Sequence, residues 1–288
     1  MPARSEKVTP PEIHLAAIGN ELLNAEIRDT NLAWLIRFLA RRGGRIGHAS
    51  IVPDDFGAIK REIDLAIDRK ADLLITTGGL GPTDDDATLA AVGAGLRRKM
   101  ALDKTALRMV RDRLEFLAKM RRTAPHRLTR ERKTMAIFPD GGVPLHNPVG
   151  VAPGMILRID RLTIISLPGV PVEMKGIAKV TLRDFWRDFF KGVVYVKRNI
   201  SIEGIPEADL WPYVRRANRL DPGVYIKSRL KMRSGNPLTA AGLPRYWIIL
   251  HFSVVDGSKA NGLSRIDRLI ESVMGDLNSH YKAPFRIL

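Results

Sequence analysis

Between Ile13 and Phe189, short apolar runs alternate with longer segments whose apolar residues recur every three or four positions, and this alternation restricts the fold more than any other feature. His14–Ile18 is a short apolar run closed by Gly19. Asp29 or Thr30 can cap a helix in which Leu32, Leu35, Ile36 and Leu39 form one stripe, ended by Gly43-Gly44. Arg45–Val52 reads as a strand. Pro53-Asp54 opens a second helix with Ile59, Ile63, Ala66 and Ile67 inward. Asp72–Thr77 is a strand, followed by a loop and a helix of small apolar residues from about Asp86 to Leu96. A further helix over 104–120, with Leu107, Val110, Leu114 and Leu117 on one face, is broken by Thr123–Pro125. Met155–Ile159 and Thr163–Leu167 read as a hairpin or adjacent strands, and Pro168–Pro171 turns the chain into a helix near Val172. Strands separated by helices of this length predict right-handed βαβ units on a mostly parallel sheet. Ligands of such sheets bind beyond the carboxyl ends of the strands.

The pattern changes after Lys191. Val193–Glu203, Val224–Lys231 and Tyr246–Val255 read as strands, and Ala208–Asn218 and Leu263–Tyr281 as helices, with 232–244 a polar loop. This β-α-β-β-α order predicts a small α+β domain with an antiparallel sheet. The expected organisation is a disordered lead-in over 1–12, an α/β domain over 13–190 and the small domain over 191–288.

There is no cysteine, so disulfides, thiolate nucleophiles and Cys-ligated metal sites are excluded. A reducing cytoplasm is the natural compartment to expect. No apolar run approaches the roughly 18 residues that span a bilayer, and no membrane partner is expected. The formal net charge of +16 favours anionic partners. It concentrates in 97–133, where 14 Lys/Arg face 4 Asp/Glu: a solvated helix face, or a rim that gathers a phosphorylated ligand or RNA. The six histidines are scattered without ligand spacing, and only His146, beside Asn147, adjoins a motif. The four tryptophans read as core or interface positions rather than a stacking platform.

The loop Thr76–Thr88, TTGGLGPTDDDAT, is where chemistry is expected. Gly78, Gly79 and Gly81 let the backbone approach a ligand and take positive φ, and Pro82 stiffens the turn. The following helix offers an N-terminal anion site, and Thr83 can cap it or bond a phosphate oxygen. Asp84, Asp85 and Asp86 would repel a phosphate unless a cation such as Mg²⁺ lay between them. Acidic residues in a first helical turn are equally favoured for structural reasons alone. The loop is neither a Walker A sequence nor a dinucleotide fingerprint.

Thr77-Gly78-Gly79-Leu80-Gly81-Pro82-Thr83, then Asp85-Asp86 and Thr88, resembles the signature of the CinA-type branch of the molybdopterin-binding (MoaB/Mog-like) family. Three other blocks agree in order: GNELLNAEIRDTN at 19–31, NPVGVAPGM at 147–155 and LPGVPVEMK at 167–175. The segments IEGIPEA at 202–208 and VYIKS at 224–228 resemble, more weakly, that family's KH-like module.

The resemblance implies a three-layer α/β/α domain binding a phosphorylated ligand, either a pterin such as molybdopterin or an ADP-ribose-like nucleotide. It implies divalent-metal-dependent hydrolysis of ADP-ribose to AMP and ribose 5-phosphate, with Mg²⁺, Mn²⁺ or Co²⁺. Asp85 and Asp86 would hold the metal or activate water. Gly78, Gly79, Thr83 and Thr88 would contact phosphate, with Thr77, Gly81 and Pro82 in the same loop. Gly19, Glu21 and Asn31 would face the ligand from the first strand's end. Asn147, Pro148, Gly150, Pro153 and Gly154, with Pro168, Gly169, Glu173 and Lys175, would complete the wall. Relatives form dimers or trimers, which implies a homo-oligomer. The chain departs from the pattern at Ala25, where the family often has Gly, and at Asp84, an added carboxylate. Fuller relatives continue into a nicotinamide mononucleotide deamidase domain, and that activity is expected to be absent. Two other readings stand beside hydrolysis: a molybdopterin-binding or adenylylating protein using the same pocket, and a non-catalytic RNA-binding module, although 191–288 lacks a GxxG backbone clamp.

Overall fold

The computed structural model describes residues 8–121, 127–232, 246–281 and 285–288. The expected helix break at Thr123–Pro125 and most of the expected loop over 232–244 lie outside these. The chain divides into two compact units, Pro11–Lys191 and Gly192–Leu288, the latter joined by residues 8–10.

The first unit runs β1 (Glu12–Ile18), α1 (Asn20–Leu23), α2 (Asn31–Ala40), β2 (Arg45–Val52), α3 (Phe56–Asp68), β3 (Leu73–Thr77), α4 (Thr88–Gly95), β4 (Met100–Leu102) and α5 (Lys104–Arg121). It continues through α6 (Arg130–Thr134), β5 (Ile137–Pro139), β6 (Val143–Leu145), β7 (Gly154–Ile159), β8 (Leu162–Leu167), α7 (Pro171–Gly176), a π-helical turn over Ile177–Thr181 and α8 (Arg183–Phe189). The main sheet has the order β2-β1-β3-β8-β7-β6. Its first four strands are parallel, β7 is antiparallel to β8, and β6, antiparallel to β7, runs with the first four. This is the mixed α/β, mostly parallel architecture that the strand–helix alternation predicts.

Both faces of the sheet are covered, so β3 and β8 are buried at every residue. Alternate side chains serve two cores. Ile13, Leu15, Leu73 and Ile165 pack with Leu35 and Leu39 of α2 and Trp186 of α8. Ile18, Leu74 and Ile164 pack with Ile59 and Ile63 of α3 and Leu89 and Val92 of α4. Two details depart from the sequence reading. The helix expected from Pro53-Asp54 starts at Phe56, because the Asp55 side chain accepts from Ala58 N at 2.7 Å and caps it. Ile67, expected inward, is 45% exposed. The small β4–β5 sheet and β6 were not expected, since three-residue strands carry too little periodicity to stand out.

The second unit runs β9 (Val194–Glu203), α9 (Glu207–Leu220), β10 (Tyr225–Met232), β11 (Tyr246–Asp256), α10 (Lys259–Tyr281) and β12 (Phe285–Ile287). All pairings in the sheet order β10-β11-β9-β12 are antiparallel. The path is β-α-β-β-α-β with the last strand at the edge beside the first, a split-βαβ arrangement. Its core joins Ile200, Ile202, Ile248, Leu250 and Phe252 of one sheet face to Leu210 and Val214 of α9 and Ile266, Leu269 and Val273 of α10.

Candidate functional site at the carboxyl end of the parallel strands

The parallel strands β1, β3 and β8 end side by side, with Ala17 opposite Thr77 and Thr77 opposite Leu167. The loops after them, 19–30, 78–87 and 168–170, therefore emerge at one place. Strand β7 runs the other way, so the loop before it, 146–153, arrives at this end as well. Four blocks scattered over about 155 residues of sequence are thus gathered by topology alone.

Gly78 and Gly79 hold φ of +114° and +64°. A Cβ on Gly78 would lie 2.2 Å from the Ile18 carbonyl oxygen, and one on Gly79 2.3 Å from Thr88 Oγ1. Both glycines are required by conformation and by space. Gly78 N donates to Leu167 O at 3.0 Å, locking the loop to the end of β8. The Thr88 hydroxyl is buried and donates to Gly78 O at 2.8 Å, while Thr88 N donates to Gly79 O at 3.2 Å. In this structure the first donors of α4 hold the glycine loop.

Asn31, the first residue of α2, ties three loops together. Its side-chain amide donates to Thr77 Oγ1 at 3.0 Å and to Gly169 O at 2.7 Å. Thr77 in turn donates to Pro168 O at 2.9 Å. The residue is 6% exposed, and its Oδ1 is buried without a hydrogen-bond partner. A buried acceptor left unpaired costs about 1–3 kcal/mol. The Gly78–Gly169 approach keeps the loop floor free of side chains.

The acidic turn is built differently. Asp86 accepts from Thr83 N at 2.9 Å and from the Thr83 hydroxyl, and its carboxylate folds over Gly81. Asp84 and Asp85 are exposed. The nearby Thr83 hydroxyl, and then the Asp85 amide, hold the Asp85 carboxyl below the usual carboxylate range. Among the described residues, no three His, Asp or Glu side chains gather as a metal-binding set. The placement of Asp85 and Asp86 therefore does not by itself fit a divalent cation.

The remaining wall is a second hydrogen-bonded cluster. Asn147 is 4% exposed; its Oδ1 accepts from Val149 N at 3.0 Å and Gly150 N at 2.8 Å, and its amide donates to Ala152 O at 2.8 Å and Glu173 Oε2 at 2.7 Å. Pro148 packs against Gly176 at the end of α7, while Pro153 and Gly154 are buried where β7 begins. Lys175 is half-buried on α7. At the opposite edge, Gly19 N donates to Val52 O at 3.1 Å, and the Glu21 carboxylate lies over the Gly19 Cα.

Asp29 was expected as a cap of α2, whereas the contributions of Asp54 and Arg113 escape the sequence reading. Asp29 does not cap α2 from the N-cap position, but its carboxylate accepts from Asn31 N at 3.1 Å and Leu32 N at 3.2 Å, which orients Asn31. Asp54 accepts from Asn20 N at 2.8 Å and fixes the loop after β1. Arg113 of α5 donates to Val149 O, and this brings one member of the basic 97–133 segment onto the 147–150 loop. Only the acidity of Asp29 beside a helix start was a usable signal. His146 is exposed and engages Thr181 only through its backbone carbonyl.

Comparison with known proteins agrees with this geometry. Residues 15–188 match the family described as a probable molybdopterin binding domain. A protein of Aeropyrum pernix is 36% identical over 264 residues, 91% of this chain and 94% of the relative. A Pyrobaculum aerophilum protein is 35% identical over 264 residues, 90% of this chain and 93% of the relative. Among solved structures, the crystal structure of the protein CinA with unknown function from Thermoplasma acidophilum is 32% identical with a TM-score of 0.54. It covers 60% of this chain and 98% of its own.

Proposed function

We propose, on the premise that this chain belongs to the molybdopterin-binding domain family, that it binds a phosphate-bearing pterin across the loops 19–31, 78–88, 147–154 and 168–175. The observation that carries this reading is Asn31: a buried side chain at the meeting point of three loops, with one acceptor oxygen unpaired. The pterin ring is rich in N–H donors, which such an acceptor recognises, and burial makes the match selective. The glycine floor admits a flat ring or a phosphate at van der Waals distance from backbone. The chain's own residues bind and orient; molybdopterin, when bound, would supply the dithiolene chemistry of the cofactor.

The test is titration of the purified full chain with molybdopterin, followed by pterin fluorescence after equilibrium dialysis. Wild-type protein is expected to bind saturably, and Asn31→Ala about tenfold more weakly while still folded by circular dichroism. Folded wild-type protein that retains no pterin would overturn the reading.

Hydrolysis of an ADP-ribose-like pyrophosphate is a second reading, favoured by one feature, the exposed and readily ionised Asp85 in the same loop. It requires a cation, for which the carboxylates are not gathered among the described residues. AMP release from ADP-ribose with Mg²⁺, Mn²⁺ or Co²⁺, abolished by Asp85→Asn, would promote it above pterin binding.

A further inference from the structure

We propose that the open face of the C-terminal sheet binds single-stranded RNA. Helices α9 and α10 cover one face of that sheet through the even-numbered residues of β9 and β11. The odd-numbered residues point the other way, and the strand register sets them in cross-strand rows. Lys227 stands opposite His251, which stands opposite Asn199. Arg229 stands opposite Ile249 and Ser201, with Arg286 of β12 beyond. Lys231 stands opposite Trp247, its ammonium 5.8 Å from the ring centroid. Lys197 extends the series on β9.

These five cations are exposed, and among the described residues of this face a single carboxylate, Glu203, stands with them. A polyanion is the matching partner. The rings decide which polyanion. Trp247 and His251 lie four residues apart on one face of β11, about 13 Å along the strand. Both are half-buried, so each ring is fixed while one side stays open. His251 is held by Asn199 Oδ1 at 2.8 Å from Nδ1. Burial, then Arg229 and Lys197, push its pKa down, so it presents a neutral ring between two cations. Fixed rings flanked by cations on an open four-stranded sheet suit unstacked bases with their phosphates on either side, whereas duplex offers no free base faces. Asn199 and Ser201, between the rings and Arg286, supply the polar groups that a 2′-hydroxyl bonds. The surface needs no GxxG clamp, and Trp247, read from sequence as a core or interface residue, becomes its stacking platform.

The test is fluorescence anisotropy of a labelled 12-nucleotide oligo(U) RNA with the full chain, repeated with single-stranded DNA of the same length, duplex DNA, and vesicles of anionic phospholipid as competitor. Single-stranded RNA is expected to bind most tightly. Trp247→Ala should weaken it about tenfold or more, and Trp247→Phe should restore most of the loss. Lys227→Ala with Arg229→Ala, both at exposed positions, should weaken binding and lower the salt dependence by about one ion per residue. Pterin retention should be unchanged in each variant. Equal binding of duplex and single strand, RNA binding indifferent to both sets of substitutions, or vesicles displacing RNA from wild type and Trp247→Ala alike would overturn the proposal.

Discussion

The side-chain amide of Asn147 donates to Glu173 Oε2 at 2.7 Å, joining the loop before β7 to the first turn of α7. The same asparagine closes its own loop through Val149 and Gly150, so one buried side chain organises both pieces. Asn147→Ala removes these bonds and leaves the Glu173 carboxylate and two amides to find other partners. A loss of about 2–3 kcal/mol in urea unfolding is expected. Glu173→Gln keeps an acceptor at the same place and should cost less than half as much. Equal losses from the two substitutions would show that the carboxylate's charge, and not the acceptor, matters.

At Gly78, space and backbone conformation act together. Gly78→Ala introduces a Cβ 2.2 Å from the Ile18 carbonyl at a φ of +114°. Neither group can move without breaking the pairing of β1 with β3, so about 3 kcal/mol of stability should be lost, and pterin retention with it. A Gly192→Ala control, at φ +75° with no atom within 4 Å, isolates the cost of the backbone alone.

Ala25 offers a substitution in the stabilising direction. It sits at φ +57°, where a side chain is strained. Ala25→Gly relieves that strain, offset in part by the freedom glycine adds to the unfolded chain. A gain of about 1 kcal/mol is expected from chemical denaturation, and an unchanged midpoint would mean that the turn relaxes around alanine at no cost.

The pH dependence of stability should carry the mark of His14. This residue is fully buried, and neither ring nitrogen has a hydrogen-bond partner. Burial first, then His48, and more weakly Arg69, push its pKa down, while Glu12 and Glu62 oppose the shift. The unfolded chain therefore takes up a proton at a pH where the folded chain does not. Stability should be level above about pH 6.5 and fall as the pH drops below it, down to the lowered folded-state value. His14→Phe should flatten the profile below about pH 6.5, leaving the part due to His251, which is shifted in the same direction. A slope identical to wild type would assign the acid sensitivity elsewhere.

The layered α/β fold was legible because its signals are periodic: the Leu32–Leu35–Leu39 stripe and the buried runs 73–77 and 162–167 each state their environment locally. The glycine loop was legible because positive φ selects residue type at Gly78 and Gly79. What Asn31 and Arg113 do was not legible, since each acts on atoms far along the chain, as when Asn31 reaches Gly169. The acidic run shows the converse. Three consecutive aspartates suggest a cation, but the folded loop spends Asp86 on Thr83. In the second unit, strands alternate plainly, yet the cations and rings of its open face become one surface only once the register pairs Lys227 with His251 and Lys231 with Trp247.

The reversed course of β7 has a mechanical consequence. Because β7 and β8 form a hairpin, whose β8 is held along its length by β3, the 147–154 and 168–175 segments leave it at the same end. Its tip, at Asp160 and Arg161, lies about 20 Å away, six residues down each strand. Arg161 anchors that tip to Asp72 at 2.7 Å. The spacing between these two walls is therefore set by the ladder of the hairpin and not by the loops themselves.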